Sequence, residues 1–303
     1  MRCMVKKKLN KENPAILGWT LFAFLVVFAL ILAVIMLWGI SASLKSRGNW
    51  FEDKVFFPDG PIWQWEWKNY ATAIKNFYTK QTLYNGSIIT ANIWQMALNS
   101  ILYAGGCSLI ATFSTCWMAY LTSKFDYKFS KIVYSFVIIA MVIPFIGTTP
   151  TMLLLLTKLG LYQKLLGAYI MKFNFLDMYF LVFFAIYRGL SKEFSEAAAI
   201  DGASEWQIFL RIMFPLVMPT FSTVFLIKFI ELWNDYSFII LYLRSYPTLS
   251  FGVYELSVIN RPELELIPVR IATSILVALP LLALFIAFRN KIMGNVTMGG
   301  VKE

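Results

Sequence analysis

The chain has 303 residues, of which 59% are hydrophobic and only 15% are charged. Soluble domains are about 45–50% apolar, so this composition excludes a soluble globular fold and indicates a helical protein that crosses a membrane several times. The net charge of +10 does not indicate a nucleic-acid partner, because the basic residues gather at the ends of apolar segments, where they set orientation.

Six apolar segments are each long enough to span a membrane as a helix, which takes about 20 residues. They lie at residues 16–40, 92–121, 132–156, 170–189, 219–242 and 269–288. The first is too long for the core of a signal peptide and is interpreted as a retained span. The fourth is the weakest, because Lys172 and Asp177 interrupt it near one end. We predict an all-α polytopic membrane protein with one transmembrane domain over residues 16–290.

The basic residues favour an orientation with both termini in the cytoplasm, since 14 of the 27 then lie inside and close to span ends. The tails, residues 1–15 and 291–303, are then cytoplasmic, and residues 41–90 form an extracytoplasmic loop. This loop contains Trp50, Trp63, Trp65 and Trp67. We expect these side chains to form an interfacial aromatic belt or to contact an external partner. Residues 57–61 predict a turn.

The chain contains no histidine, so the commonest general base and the commonest transition-metal ligand are missing. Its three cysteines, Cys3, Cys107 and Cys116, have neither metal-binding nor disulfide spacing. We expect no catalytic residue, no metal site and no cofactor in this chain.

A polar stretch, residues 191–219, separates the fourth and fifth spans and would lie on the cytoplasmic face. It contains six charged residues within an otherwise apolar region. Ser191 can cap a first short helix, and Gly202 suits the left-handed residue that ends it. Ser204 and Gln207 form a capping-box pattern for a second short helix. The local chemistry therefore predicts two helices joined by a tight turn.

Both predicted helices carry small or apolar faces. On the first helix, one face carries Phe194, Ala197, Ala198 and Asp201. On the second helix, the apolar residues recur at helical spacing and are Trp206, Phe209, Leu210 and Met213. Alanines permit close approach of another surface, and Glu196 adds charge. The segment either docks on a soluble partner or packs only on its own spans. Pro215 and Pro219 are expected to break or kink the chain before it re-enters the membrane.

A longer pattern runs through this stretch. In order, it consists of Glu196, Ala197, Ala198, Gly202, Ile212, Phe214 and Pro215. It resembles the EAA loop of membrane subunits of bacterial binding-protein-dependent ABC importers. The fuller run from Glu196 to Ser204 resembles the carbohydrate-uptake branch, the MalG-like permeases.

Shorter motifs extend the resemblance over most of the chain. They are Trp67-Lys68-Asn69-Tyr70, Asn99-Ser100, Leu159-Gly160-Leu161, Trp233-Asn234-Asp235-Tyr236 and the tail Gly299-Gly300-Val301-Lys302. Two features depart from the pattern. Ser191 stands where the family commonly has a proline, and Gln163-Lys164 is atypical, which weakens any inference about the particular sugar.

The resemblance implies that the polar stretch is a coupling segment seated on an ATPase subunit. The residues implied to dock are Glu196, Ala197, Ala198, Asp201, Gly202 and Ala203. The implied partners are a second homologous permease subunit, two ATPase chains that bind ATP and magnesium, an extracytoplasmic solute-binding protein and a mono- or oligosaccharide, at a bacterial cytoplasmic membrane. This chain has no glycine-rich phosphate loop, so we expect it not to hydrolyse ATP itself.

Three charges lie in the fifth predicted span. Lys228, Glu231 and Asp235 are spaced i, i+3 and i+7 on one helix face. A charge at the centre of a span costs about 2.5–3.5 kcal/mol, so these side chains must face protein or water, and Lys228 and Glu231 can pair locally. This face, with Trp233 and Asn234 beside the charges, borders either the translocation path, where a sugar could bind, or the partner membrane subunit. Alternatively, the charges form a structural ion pair that holds spans together.

Other functions stay open at this point. The solute of an ABC permease could be something other than a sugar. An intramembrane enzyme would need an aspartate pair such as Asp177 and Asp235, and the sequence carries no hydrolase motif. A secondary transporter would explain six spans and buried charge, but not the EAA-like segment.

Overall fold

The computed structural model describes residues 14–83, 86–124, 128–143, 147–259 and 261–296. Most of these residues are helical. The helices are α1 (Pro14–Ser43), α2 (Arg47–Glu52), α3 (Lys68–Asn76), α4 (Ile93–Ser100), α5 (Gly106–Lys124), α6 (Lys128–Val142), α7 (Thr148–Lys158), α8 (Leu165–Lys172), α9 (Met178–Gly189), α10 (Glu193–Ile200), α11 (Glu205–Ile208), α12 (Phe214–Asn234), α13 (Tyr236–Tyr242), α14 (Leu249–Val258) and α15 (Ile267–Val296). Strand β1 (Tyr78–Thr82) pairs antiparallel with β2 (Ile88–Asn92), with Tyr78 opposite Asn92.

Four helical stretches in the described ranges are long and apolar enough to cross a membrane. They are Gly18–Ser43, Ile93–Lys124, Glu205–Asn234 and Ile267–Phe288. These stretches overlap the first, second, fifth and sixth predicted spans. The third and fourth predicted spans do not form single long helices, and the number of six spans stays a prediction.

The third predicted span, residues 132–156, is divided between two helices. Helix α6 ends at Val142, and α7 begins at Thr148 after Gly147, whose φ of 79° is left-handed. Pro150 lies in the first turn of α7, where its missing N–H removes no hydrogen bond of the helix. A left-handed glycine followed by a proline in the first turn sets the start of a new helix.

The fourth predicted span, residues 170–189, is also interrupted. Helix α8 ends at Lys172, and α9 starts only at Met178. Asp177 is the N-cap of α9, because its carboxylate accepts a hydrogen bond from the N–H of Phe180 at 3.1 Å. The two charged residues that weakened the prediction therefore lie at helix ends.

Wider π turns interrupt two of the long stretches. They lie at Ile101–Gly105 and Phe209–Met213. The second continues directly into α12, so the helical stretch runs from Glu205 to Asn234. Of the predicted break or kink at Pro215 and Pro219, the structure excludes the break. A π turn departs from the regular i→i−4 hydrogen bonding, so a proline just after it costs less than one in a regular helix interior.

The chain forms two compact units. Among the described residues, the first contains those up to 75 together with 262–275, and the second contains those in 76–261 together with 276–296. In the first unit, the amide of Asn69 donates hydrogen bonds to the carbonyl oxygens of Ser43 at 2.8 Å and Lys45 at 2.9 Å. This motif asparagine thus fixes the chain where α1 ends.

The tryptophans of the first unit differ in environment. Trp50 is buried, whereas Trp63 is 80% exposed. Trp65 and Trp67 donate their indole N–H groups to backbone carbonyls of the same loop. Gly60, in the predicted turn, has a φ of 80°. Trp50 is therefore a core residue, and Trp63 is free to contact lipid or a partner.

The core of the second unit lies where α5, α9 and α12 pack together. We call it the bundle cluster. Its buried residues are Cys116, Ala119, Tyr120, Val137, Phe180, Phe183, Tyr187, Ala198, Ile208, Phe209, Met213, Val217, Phe221 and Val224. Since this list includes residues from the polar stretch as well as from the long helices, one core holds both.

Candidate functional site

The polar stretch after α9 forms the two predicted helices, α10 and α11. The Ser191 hydroxyl accepts a hydrogen bond from the N–H of Glu193 at 3.2 Å, and Gly202 follows α10 with a φ of 80°. Ser204 and Gln207 form the capping box, with hydrogen bonds of 3.4 and 2.9 Å. The N-cap of α10 is Lys192 rather than the predicted Ser191, and it makes no side-chain cap hydrogen bond. The predictions at Gly202 and at the capping box of α11 are confirmed, and together these residues fix the turn between the two helices.

The predicted face of α10 is divided by packing. Ala198 is 8% exposed and belongs to the bundle cluster, whereas Phe194, Ala197 and Asp201 are exposed. Ile200, which the sequence analysis did not single out, is 86% exposed. We call Phe194, Ala197, Ile200 and Asp201 the coupling surface. A large aliphatic residue in an otherwise polar stretch was the signal that could have identified Ile200.

The remaining predicted docking residues lie around this surface. Glu196 and Gly202 are exposed, and Ala203 is half-buried. Residues Glu196 to Ala203 therefore stay together at one end of the bundle, with Ala198 turned inward as the anchor.

The helix that follows α10 is held against α5. Phe209 and Met213 of its predicted apolar face are buried, whereas Trp206 and Leu210 are exposed. The Trp206 ring nevertheless meets the ring of Trp117 edge-on, with 5.9 Å between centroids. Two of the four residues of the predicted face are therefore buried in the core, and the other two lie at the edge of the core.

The coupling surface is connected firmly to the long helices. Ala198, Ile208 and Phe209 pack in the same cluster as residues of α5, α9 and α12. In addition, the Lys124 ammonium group donates a hydrogen bond to the carbonyl oxygen of Leu190 at 2.9 Å. Because protein interiors are close-packed and transmit strain, a displacement of α10 would move the bundle with it.

A second polar site is a cavity of about 350 Å³ in the second unit. Its lining residues are Ala111, Met171, Lys172, Asn174, Asp177, Tyr179, Lys228, Glu231 and Leu232. Small-molecule sites typically have volumes of about 300–1,000 Å³, so this volume suits a small ligand. We call it the charged cavity.

Lys228 is 7% exposed and its ammonium group is fully engaged. It donates hydrogen bonds to an Asp177 carboxylate oxygen at 2.6 Å, to the Thr115 hydroxyl at 3.3 Å and to the Ala111 carbonyl at 3.3 Å. The predicted local pair with Glu231 is therefore wrong. Asp177 is already fixed as the cap of α9, so pairing with it costs less side-chain entropy than ordering Glu231 would.

Glu231 lines the charged cavity and is exposed there. It makes no hydrogen bond or ion pair with any residue that the structure describes. Beside it, the non-helical backbone at Asn174 accepts hydrogen bonds from the hydroxyls of Ser114 at 3.1 Å and Thr115 at 3.2 Å. In membrane proteins such backbone occurs where it is buried in protein or lines a water-filled cavity.

Two further predicted path residues lie outside the cavity. Trp233 is buried and packs on the ring of Phe229, with 5.5 Å between centroids. Asn234 is exposed, and its amide donates to the carbonyl of Ile230 at 2.8 Å. Neither side chain lines the cavity in this conformation.

Asp235 has a structural partner as well. Its carboxylate accepts a hydrogen bond from the N–H of Phe238 at 3.0 Å and so caps α13. It also lies 3.9 Å from the ammonium group of Lys172. Asp235 therefore borders the charged cavity through Lys172 rather than lining it.

The sequence analysis did not assign four of the polar lining residues to the path: Lys172, Asn174, Asp177 and Tyr179. Two of them were visible as charges within a predicted span. Matching these charges with the opposite charges of the fifth span would have found both observed ion pairs, Lys228–Asp177 and Lys172–Asp235.

Comparison with known sequences gives one family. The model of the family described as binding-protein-dependent transport system inner membrane component matches residues 111–292 of this chain. This range contains the coupling surface, and the residues that line the charged cavity also fall within it.

Three relatives have similar sequences. The diacetylchitobiose uptake system permease protein NgcG of Streptomyces coelicolor is 26% identical over 217 residues, which cover 71% of this chain and 65% of the relative. The arabinooligosaccharides transport system permease protein AraQ of Bacillus subtilis is 27% identical, covering 76% and 80%. The melibiose/raffinose/stachyose import permease protein MelC of Bacillus subtilis is 26% identical, covering 70% and 77%. The match to NgcG spans just under two thirds of that relative.

One solved structure has a similar fold. A chain of a bacterial ABC transporter involved in the import of the acidic polysaccharide alginate superposes with a TM-score of 0.73 over 94% of this chain and 99% of the other. The two sequences are 19% identical, so this likeness concerns the fold alone.

Proposed function

The chain belongs to the binding-protein-dependent transport system inner membrane component family, and we propose that it is the membrane-spanning permease subunit of an ATP-driven importer for a mono- or oligosaccharide. The relatives named for diacetylchitobiose, arabinooligosaccharides and melibiose/raffinose/stachyose support a sugar as the solute. The run from Glu196 to Ser204 points the same way.

The observation that carries this proposal is the coupling surface on α10. An exposed Ile200 and Phe194 beside Ala197 form a small apolar knob on a polar segment. Such a knob suits insertion into a groove of a soluble partner. Its inner side, through Ala198, is part of the bundle cluster.

The proposed mechanism is mechanical coupling. Partner ATPase chains bind ATP and magnesium, and their closure displaces α10. The bundle cluster passes this displacement to α5, α9 and α12, which alternate between inward-open and outward-open arrangements. This chain contributes the docking surface and part of the path, and catalysis of ATP hydrolysis belongs to the partner chains.

The proposed assembly has five further kinds of component. They are a second homologous permease subunit, two ATPase subunits, an extracytoplasmic solute-binding protein, the sugar and the surrounding lipid. The site of action is a bacterial cytoplasmic membrane, with both termini in the cytoplasm. Residues 1–13 and 297–303 of the tails, with the tail motif, lie outside the described residues.

Sugar uptake by the complete complex in proteoliposomes tests this function. Glu196→Lys and Gly202→Pro should lower both uptake and the ATPase stimulation by loaded binding protein, while membrane insertion is retained. Proline cannot adopt the φ of 80° found at residue 202, since its ring fixes φ near −65°. Gly189→Ala is the control, because a Cβ at that position meets no atom within 4 Å.

Two results would contradict the proposal. Uptake that continues without the ATPase subunits would indicate a secondary transporter. ATP-dependent uptake of an amino acid, peptide or polyamine, with no saccharide imported, would keep the importer and replace the sugar by another solute.

A further inference from the structure

The charges of the cavity are unevenly paired. Lys228 lies 2.6 Å from Asp177, and Lys172 lies 3.9 Å from Asp235. Glu231 has no partner among the described residues. Two lysines therefore face three carboxylates, and this group of five carries one net negative charge when all are ionised. The unpaired charge is the one on Glu231.

The lining groups outside the two ion pairs suit a polyhydroxylated ligand. An ionised carboxylate such as Glu231 accepts hydrogen bonds from hydroxyl groups. The amide nitrogen of Asn174 can donate, while its amide oxygen already accepts a hydrogen bond from the N–H of Leu176 at 2.9 Å. Tyr179 adds an aromatic ring, whose centroid lies 5.4 Å from the Lys228 ammonium group. Hydrogen bonds to hydroxyls together with contact on an aromatic face match the surface of a sugar ring.

The position along α12 also fits a ligand in transit. The coupling surface precedes the start of α12, whereas Lys228 lies 14 residues after Phe214, roughly 21 Å along the helix axis. The cavity is therefore closer to the far end of this span. An unpaired carboxylate at such a position cannot face lipid without a large cost, so Glu231 must meet water, a ligand or protein.

From these observations we propose that the charged cavity holds an uncharged saccharide during its passage and disfavours acidic ones, with Glu231 as the residue that discriminates. The inference rests on the proposed function and names its substrate class. A uronate would bring a second carboxylate to Glu231. Both cavity lysines already have carboxylate partners, so the group carries no surplus positive charge for a further carboxylate. Even in bulk water two such charges at 4 Å repel enough for about fivefold weaker binding.

Protection of a cysteine in the cavity tests this directly. Met171→Cys, at a lining position that has no hydrogen-bonding role in the proposal, is introduced together with Cys3→Ser into the complete complex; Cys107 and Cys116 are buried. The rate of modification by the neutral reagent methyl methanethiosulfonate is measured with maltotriose, arabinotriose, diacetylchitobiose or trigalacturonate at equal ionic strength. At least one neutral saccharide should slow modification. Trigalacturonate should give the same protection only at a concentration about fivefold higher or more.

Glu231→Gln in the same background should remove the difference between neutral and acidic saccharides. The matched control is Glu265→Gln, which removes an exposed carboxylate outside the cavity and should preserve the difference. Equal protection by both classes while Glu231 is present, or protection by none, would overturn the inference. Loss of permease pairing in Glu231→Gln would also overturn it, since Glu231 would then be an interface residue.

Wild-type uptake separates this inference from the proposed function. If the complex imports a saccharide but the cysteine shows no discrimination, only the substrate-class inference fails. If the complex imports no saccharide at all, the proposed function is wrong, and the substrate-class inference that rests on it is wrong as well.

Discussion

Lys228 shows what a single residue contributes to this bundle. Its stem is buried and its ammonium group bonds Asp177, Thr115 and Ala111. Removing one partner of a buried ion pair typically costs about 3–5 kcal/mol, because the other charge is left uncompensated. The Asp177 side chain is 30% exposed, so water can reach it, and the cost should fall at or below the lower end of this range.

We therefore expect Lys228→Met to lower the unfolding temperature of the purified complex. Adding Asp177→Asn should recover much of the loss, because asparagine removes the unpaired charge and still caps α9 well. Lys158→Met, which removes an exposed lysine at the end of α7, is the control and should change little. A double variant as unstable as the single one would show that the ion pair is not the source of the effect.

At the residue scale, the sequence identified charge but not pairing. Lys228 and Glu231 were found because a charge in an apolar span is conspicuous. The partner of Lys228 was missed because Asp177 is 51 positions away and meets it only after α9 packs against α12. Local spacing favoured Glu231 as the partner of Lys228, but tertiary packing brings Asp177 to Lys228 instead.

At the scale of elements, α14 is tied to strand β1 by a second buried ion pair. Arg261 lies 2.9 Å from Glu255, whose side chain is 5% exposed, and Gln81 of β1 donates to the same carboxylate at 3.2 Å. Arg261 also donates to the carbonyl of Tyr78. Burial raises the pKa of Glu255, while Arg261 and Gln81 act in the opposite direction.

Arg261→Ala should destabilise this connection in a pH-dependent way. Without Arg261, the pKa of buried Glu255 rises further, so the folded state favours the protonated carboxyl. The penalty is then largest above the folded pKa and shrinks as the pH falls through it. The unfolding temperature of the variant, compared with wild type, should drop more at pH 8 than at pH 5. An equal drop at both values would mean that Glu255 ionisation is not involved.

Local signals predicted some elements well and others poorly. The caps at Ser204 and Gly202 needed only neighbouring residues, so α10 and α11 were predicted correctly. The hairpin of β1 and β2 was not predicted, since its strands are only five residues long and local sequence does not show that β1 packs against α14. The interruptions within the third and fourth predicted spans were missed because hydropathy does not register the left-handed turn at Gly147 or the cap at Asp177.

At the scale of the whole molecule, composition was sufficient for the class. An apolar fraction of 59% and the long uncharged runs indicated a helical membrane protein, and four long apolar helices are present in the described ranges. The division into two compact units was not predicted, because it follows from contacts between distant segments. The polar stretch was identified from sequence, whereas its attachment to the bundle cluster required the structure.

The central claim is that α10 docks on an ATPase subunit and moves the bundle. Cysteine cross-linking from α10 to the partner ATPase in the assembled complex tests it most directly. Ile200→Cys and Ala197→Cys should cross-link and block uptake, whereas Ala198→Cys should not, since Ala198 is buried in the bundle cluster. If neither exposed position cross-links, or if residues 193–208 are labelled from the extracytoplasmic side, the account is contradicted.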